Sequence, residues 1–578
     1  MLLFFTKRIL LLFFSVILTK AAFASNLISD SISLYGRENN SIILNPNIKV
    51  SSQFNKENWI YEIRDNLDLK GELLTFPKGS HLVFNGGTIG NGTVDFSNCV
   101  NTQIYYSWFS DFGTCNRSLL YMDNKELVFE QDVYINESFT FPRNGFEHQN
   151  ITLRGGVKTK ESRPRIIADG VPCFKIYGHF FRFENLCFQV KSKSKDIACI
   201  EIECPMEGLN DVDCEVKNCH FFHSGGGIGI KCKGRGITVE DCVFQTPVFS
   251  LSDRRMDISA ISLYPDDEPN YPVTGGSQWH DRKSAGRSII IRNNRLHLSN
   301  PGNLLGLYVN PECPEWSFHG VQIVNNLVDA EGSLCVITAK NYGTLIIGNT
   351  NYARRASSSM YIANANDMLI SNNSLGQLSI GQSLTDNSYD IEFKNYGSIC
   401  SRQLKGFTSC INSVIVTGNV LSSYGGAVIC DSCDMFYNVS ISNNVFGEQA
   451  FKRNTPRKGI LYVSCTSLKD VMISCNMIHE AIDSYMPYCV VFSDDTILSH
   501  KNIQLLNNNN FNNIYPPNIS NINGLKVSKN LVKYGPTKNR PTNLLEPTDA
   551  GFIYYDTDVL YPVFWSGNKW VNASGKVE

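Results

Sequence analysis

Along most of the chain, apolar and polar residues alternate in short runs that end on asparagine. Val439–Phe446 reads VSISNNVF, and Met368–Leu375 reads MLISNNSL. The template is apolar, any, apolar, any, polar, polar, any, apolar. It recurs from Phe181, Cys214, Ile237, Ile289, Val321, Leu345, Met368, Val414, Val439, Val471 and Ile503, with a weaker copy, IEFKNYGS, from Ile391. Successive starts are separated by 33, 23, 52, 32, 24, 23, 23, 23, 25, 32 and 32 residues. Alternation with period two predicts strands, and a basic period of 23 residues with insertions predicts one structural turn per repeat. A second strand is readable in most repeats, as in GIGIKC from Gly227, LCVITA from Leu334, AVICD from Ala427 and ILYVS from Ile460. Short strands, turns and no useful amphipathic helix predict an all-β parallel solenoid.

In such a solenoid, equivalent positions stack roughly 4.8 Å apart, the spacing of hydrogen-bonded strands. Asn or Asp fills the fifth template position in ten of the twelve copies. Asparagine tolerates left-handed backbone angles and bonds locally to the main chain, and stacked asparagines bond to one another. The fifth position therefore predicts a polar ladder at a corner, with the apolar eighth position returning to the core. Cys219 and Cys242 share the sixth position of neighbouring copies. They read as small buried residues, although a bridge between them is geometrically conceivable. Upstream, Leu67–Phe96 has shorter strands separated by Gly71, Gly79, Gly86, Gly87, Gly90 and Gly92, the signature of tight turns.

These segments resemble the right-handed parallel β-helix proteins of the pectate-lyase-like superfamily, over roughly Leu67 to Phe511. The resemblance implies a fold of ~23-residue coils that hosts lyases, hydrolases, epimerases and non-catalytic binders. DFGTCNRS (Asp111–Ser118) keeps the first three residues of a motif common in such proteins and lacks its acidic continuation. The signature sets of polygalacturonases and pectate lyases are absent. The last segment, Gly535–Gly575, has no repeat. It predicts a hairpin of Phe552–Asp556 with Tyr561–Trp565 and a Ser566-Gly567-Asn568 turn before Trp570. It is similar to modules at the C-termini of phage tail-fibre and bacterial surface proteins. Trp565 and Trp570 read as the core of this small module, with sugar stacking as the other role open to them. The expected organisation is a signal peptide at 1–24, a cap at 25–66, the β-helix at 67–530 and the C-terminal β module at 535–578.

The signal peptide rests on Lys7 and Arg8, the apolar run Ile9–Leu18 and the small residues Ala22 and Ala24. It predicts export to the periplasm, cell surface or medium. No later stretch is apolar enough for a transmembrane helix. Lys plus Arg number 52 against 54 acids, which gives no electrostatic case for nucleic acid as a partner. Nineteen cysteines leave at least one unpaired within the chain.

Function in a solenoid usually sits on insertions. The longest step carries Arg254, Arg255, Asp257, Tyr264, Asp266, Asp267, Glu268, Tyr271, Trp279, His280, Arg282, Lys283 and Arg287. This mixture suits a polysaccharide. In a uronic-acid lyase, a base removes the proton beside the carboxylate. Arg254, Arg255, Lys283 and His280 are the candidates, with Asp266, Asp267 and Glu268 as ligands of a calcium ion. In a glycoside hydrolase, two carboxyl groups flank the scissile bond, for which Asp253 and Asp257 are available. Tyr264, Tyr271, Trp279, Arg282, Arg287 and, from the next insertion, Trp316 are the candidate sugar contacts. His220 and His223, close to Cys214, Cys219 and Cys232, raise a zinc site, but at no tight ligand spacing. The alternative to an enzyme is a non-catalytic adhesin or a tail-fibre-like protein with a β-helix stalk.

Overall fold

The computed structural model describes residues 40–577 apart from 142–149, 157–162, 178–179, 195, 204–210, 246–258, 266–288, 298–302, 310–316, 329–332, 352–359, 376–377, 381–409, 422–427, 447–458, 479–487, 493–500, 507–513, 516–525, 528–533, 541, 543–544, 546 and 548–549. It divides into two compact units, Met1–Glu126 and Leu127–Glu578.

In the first unit, Ser41–Ile43, Ile60–Ile63 and His81–Phe84 pair in parallel, as do Leu67–Asp68 with Ile89–Gly90 and Leu73–Thr75 with Thr93–Asp95. Alternate residues turn inward, so Tyr61, Ile63, Leu67, Leu82, Ile89 and Val94 are buried. The DFGTCNRS segment forms the helix Phe112–Ser118. Asp111 caps it by accepting from the Thr114 backbone N–H at 2.7 Å, which gives that aspartate a structural role.

The second unit is a right-handed parallel β-helix whose coils carry three strands. The first strands form a twelve-stranded parallel sheet, from Val133–Ile135 to Met477–Ile478. The second strands include Phe174–Tyr177, Ile200–Glu203, Ile230–Lys233, Ser259–Tyr264 and Asn303–Leu307, each in parallel register with the next. The third strands are the template segments themselves. In the core the rings of Phe188, Phe221 and Phe244 stack at 5.0 and 4.7 Å. These distances match the spacing between hydrogen-bonded strands: equivalent residues lie directly above one another.

Left-handed residues bracket most of the described third strands. The fifth template position is one of them: Asn185, Asn218, Asp241, Asn293, Asn325, Asn372 and Asn443 have φ of 53–57°, and Gly348 and Gly418 take the same turn. The residue just before the template is the other. Asn150, Phe180, Asp213, Gly236, Gly320, Gly343, Asp367, Ser413, Asn438 and Asp470 all have positive φ.

The ladder lies at the sixth position, one residue later than the sequence pattern predicts. Asn294, Asn326, Asn349, Asn373, Asn419, Asn444 and Asn476 are all buried. Each Oδ1 accepts the backbone N–H of the preceding coil's sixth residue, at 2.8–3.0 Å. Each Nδ2 donates to a carbonyl of that coil, as Asn349 does to Ile323 at 2.9 Å. The fifth residue cannot take this role because its left-handed backbone turns it outward. Cys219 and Cys242 are buried free thiols, not a disulfide. The Cys242 thiol donates to the Glu240 carbonyl at 3.2 Å.

Two repeat assignments need correction. Gln322, Leu345 and Leu369 share one file, so the copy assigned to Leu345 begins at Thr344. Met368 pairs directly with Val414. The weak copy at Ile391, which itself lies outside the described residues, therefore adds no coil to that column.

At the C-terminus, Ile553–Asp556 and Tyr561–Trp565 pair antiparallel, and Trp565 opposes Trp570 across the turn. Trp565 and Trp570 are only 5% and 4% exposed and pack with Tyr554, Val563 and Leu545, so both tryptophans are core. Asp556, fully buried, accepts from Arg540 Nε at 2.5 Å and Thr537 Oγ1 at 2.8 Å.

Candidate functional site: an outer groove on the third strands

Of the sequence-predicted site residues, the structure describes Tyr264. Arg254, Arg255, Asp257, Asp266, Asp267, Glu268, Tyr271, Trp279, His280, Arg282, Lys283, Arg287 and Trp316 lie outside the described residues. Tyr264 ends the strand Ser259–Tyr264 and packs against Tyr308, Val336 and Tyr361. The Tyr308 ring lies over Gly306, where a Cβ would approach it to 2.0 Å, and its hydroxyl bonds Ser259 Oγ at 2.7 Å. Only glycine leaves room for the ring at that point.

His223 is buried, with Nε2 donating to the Ile197 carbonyl at 3.0 Å and Nδ1 accepting from Gly225 N–H at 3.0 Å. Both ring nitrogens are thus engaged by the backbone in the neutral form. Burial holds the imidazole below its usual pKa. Among the described residues, no cluster of three His, Cys, Asp or Glu side chains could hold a metal ion, and no helix is long and apolar enough to cross a membrane.

What the structure does bring together is a groove that the sequence reading missed. It encloses about 310 Å³ and is lined by Asn150, Thr152, Phe180, Phe181, Arg182, Asp213, Cys214, Glu215, Gly236 and Thr238. Two files make it. Thr152, Arg182, Glu215 and Thr238 occupy one outward position of four successive coils. Asn150, Phe180, Asp213 and Gly236 are the left-handed corner residues beside them. Arg182 Nε meets Glu215 Oε2 at 2.7 Å and Glu184 Oε1 at 3.6 Å. Asp213 Oδ1 lies over Gly236, 2.9 Å from where a Cβ would stand.

Phe180 departs from its file. The corner otherwise carries glycine, asparagine, aspartate or serine, which reach left-handed angles at low cost. Phe180 holds φ at 61°, a strained state for a bulky residue. Strain of this kind concentrates where a side chain is needed. That anomaly was the signal available in the sequence.

The next outward file alternates in charge: Arg154, Glu184, Lys217, Glu240 and Arg292. Arg292 Nε meets Glu240 Oε1 at 3.0 Å. The Arg292 hydrogen bond holds the Glu240 carboxyl below its ordinary pKa, against the opposing effect of burial. Beyond Arg292 this file continues as Val324, Ile347, Ser371, Thr417 and Ser442, without charge. The groove therefore sits on the charged end of the column.

No protein-family model matches the chain, and no curated protein matches it. Solved structures do. Tailspike protein 3 of bacteriophage CBA120 aligns at 11% identity and a TM-score of 0.21, over 90% of this chain and 64% of that one. The chain thus spans less than two thirds of that tailspike's length. The Streptococcus pneumoniae surface protein and adhesin PfbA aligns at 12% and 0.31, over 81% of this chain and 90% of that one. A mannuronic acid specific polysaccharide family 6 lyase from human gut microbiota aligns at 12% and 0.30, over 79% and 88%. The fold assignment rests on this chain's own strand registers.

Proposed function

We propose that the protein is a polysaccharide-binding β-helix and that the glycan lies in the groove along Thr152, Arg182, Glu215 and Thr238. The observation that carries this reading is Phe180, a bulky residue held at a left-handed backbone angle in the lining of the groove beside that polar file. An aromatic face supplies a flat apolar surface for the C–H side of a sugar ring, worth about 0.5–1.5 kcal/mol beyond its area. Charged groups at the coil spacing supply strong hydrogen bonds to hydroxyls. Three coil steps cover about 14 Å, enough for a short run of sugar rings.

The test is affinity electrophoresis against a panel of soluble polysaccharides, followed by titration of oligomers of any that retards the protein. Phe180→Gly and Arg182→Ala should each weaken binding about tenfold, which corresponds to about 1.4 kcal/mol. Wild-type affinity in both variants would overturn the assignment. Cleavage by the 253–287 insertion, as a calcium-assisted uronic-acid lyase or as a glycoside hydrolase, is a separate proposal for an exported enzyme. Its test is depolymerisation of the retarded glycan with and without chelator, set against Arg254→Ala/Arg255→Ala/Lys283→Ala. Without depolymerisation, the non-catalytic binder stands.

A further inference from the structure

We infer that the protein pairs with a second copy of itself through the uncharged outer face of its later coils, the two solenoids running antiparallel. Outward positions of the third strands form two files, from Gln322 to Met472 and from Val324 to Ser474. Around the corner the first strands add a file from Leu327 to Met477. The left-handed corner between them runs from Asn325 to Cys475. Four files over six coils make twenty-four positions, and none holds a charged residue. In the coils that start at Phe181, Cys214, Ile237 and Ile289, eight of the sixteen equivalent positions are charged, Arg182, Glu215, Arg292 and Arg295 among them. A solvated surface is ordinarily about a quarter charged or more. Within the uncharged face, Ile415, Val420, Met472 and Met477 stand 38–47% exposed. Charge returns at its rim, where Lys469 meets Asp470 at 3.7 Å. An apolar centre with a charged rim is the anatomy of a protein interface.

The face spans about 24 Å along the coils and about 17 Å across them. A pair would cover about 800 Å² before side-chain relief is counted, the size of a weak and reversible contact. What the face lacks decides the occupant. Without charge it attracts neither nucleic acid nor a strongly charged protein. Without an aromatic ring it offers a sugar no stacking platform. A second copy brings the same uncharged files, and a two-fold contact sets them against themselves. Parallel copies would bury their charged coils against each other as well. Antiparallel copies, with the two-fold axis lying across the coils, set Asn325 opposite the partner's Cys475 and leave the charged coils in water. On the groove reading, the glycan site of each copy then stays open.

Sedimentation velocity on the full chain, under reducing conditions, tests this. The wild type should pass from monomer to dimer as its concentration rises through about 1–100 µM, the range of a small interface. Ile415→Glu with Val420→Glu puts charge in the middle of the face and should weaken pairing by about tenfold or more, the effect of a charge buried without a partner. Both side chains are exposed, so the variant should fold, and circular dichroism would verify it. Val243→Glu, on the first-strand file but among the charged coils, should pair like the wild type. Asn325→Cys, at a corner where Cys475 already stands left-handed, should join the partner's Cys475 on mild oxidation and give a covalent dimer on a non-reducing gel. A monomer throughout, or a dimer that survives Ile415→Glu with Val420→Glu, overturns the inference. So does a wild type that oxidation joins through Cys475 alone, as parallel copies would be. None of these measurements uses a glycan, so the groove reading stands or falls separately.

Discussion

Asn349→Ala isolates what the ladder contributes. The Asn349 Oδ1 accepts the Asn326 backbone N–H at 2.8 Å and Asn326 Nδ2 at 3.0 Å. Its Nδ2 donates to Ile323 O and Asn373 Oδ1, both at 2.9 Å, and to Ile347 O at 3.2 Å. Alanine leaves the Asn326 N–H buried without an acceptor, a penalty of about 1–3 kcal/mol, and removes further bonds worth about 1 kcal/mol each. The expected loss is about 3–5 kcal/mol. Asn325→Gly, one residue before Asn326, is the control. Asn325 is exposed with φ at 54°, and glycine holds the same corner at Gly348 and Gly418. Its expected change is under about 1 kcal/mol. Asn349→Cys should fall between them, because a thiol can donate to a carbonyl as Cys242 does but accepts the N–H poorly. Urea unfolding would be followed by circular dichroism and by fluorescence, since a solenoid can unravel in parts and coincident transitions are needed for a single free energy. The reasoning fails if Asn349→Ala lies within about 1 kcal/mol of wild type, or if Asn325→Gly is equally damaging.

Phe180→Gly should relieve about 1 kcal/mol of left-handed backbone strain, offsetting part of what the half-buried side chain contributes, while weakening glycan binding. A matched loss of stability and binding in thermal melts and titration would make Phe180 an ordinary packing residue. Acidification should destabilise the protein through His81, His220 and His223, whose pKa values burial holds below the usual range. Above the unfolded-state value of about 6.5 their contribution is constant. Below it the unfolded chain binds protons that the folded chain refuses, so each histidine removes up to about 1.4 kcal/mol per pH unit until its own folded pKa is reached. His223→Ala should flatten that slope in urea midpoints measured between pH 7 and 5, and an unchanged slope would contradict the assignment. In the C-terminal module, Arg540→Ala leaves the fully buried Asp556 without its cation, at about 3–5 kcal/mol. Proteolysis near Trp565 and Trp570 should then begin below the wild-type unfolding temperature, and intact resistance would refute the role given to the pair.

The coil was legible because alternation and a polar pair recur together, and a sheet fixes register wherever one face is buried. The ladder's position was not. Fifth and sixth residues are both mostly asparagine, and composition cannot tell the one that turns outward from the one that turns inward. The second corner was written in the sequence but not read. Gly236, Gly320, Gly343, Asp367, Ser413, Asn438 and Asp470 each precede the first template residue, and all are left-handed. Applied as an added criterion, that position exposes the misplaced copy at Leu345 but not the weak one at Ile391. Asp390 stands before Ile391, so even this criterion passes a segment that the Met368–Val414 pairing excludes from the column. The Leu345 copy fails it, since Gly343 stands two residues before and Thr344 takes the first position.

The groove was invisible for a different reason. Its lining comes from four coils between Asn150 and Thr238, and Thr152, Arg182, Glu215 and Thr238 are each an unremarkable outward residue of a strand. Function in a stacked solenoid is a property of files, and a file becomes visible only once the insertions between coils have been counted correctly. Phe180 shows how such a file departs from the needs of the fold. The coils on either side fix its corner through Asn150 and Asp213, so the backbone stays left-handed whichever residue stands there. A glycine would meet that constraint with less strain, yet this chain places phenylalanine there. The left-handed backbone under a bulky side chain is therefore what sets Phe180 apart from the rest of its file.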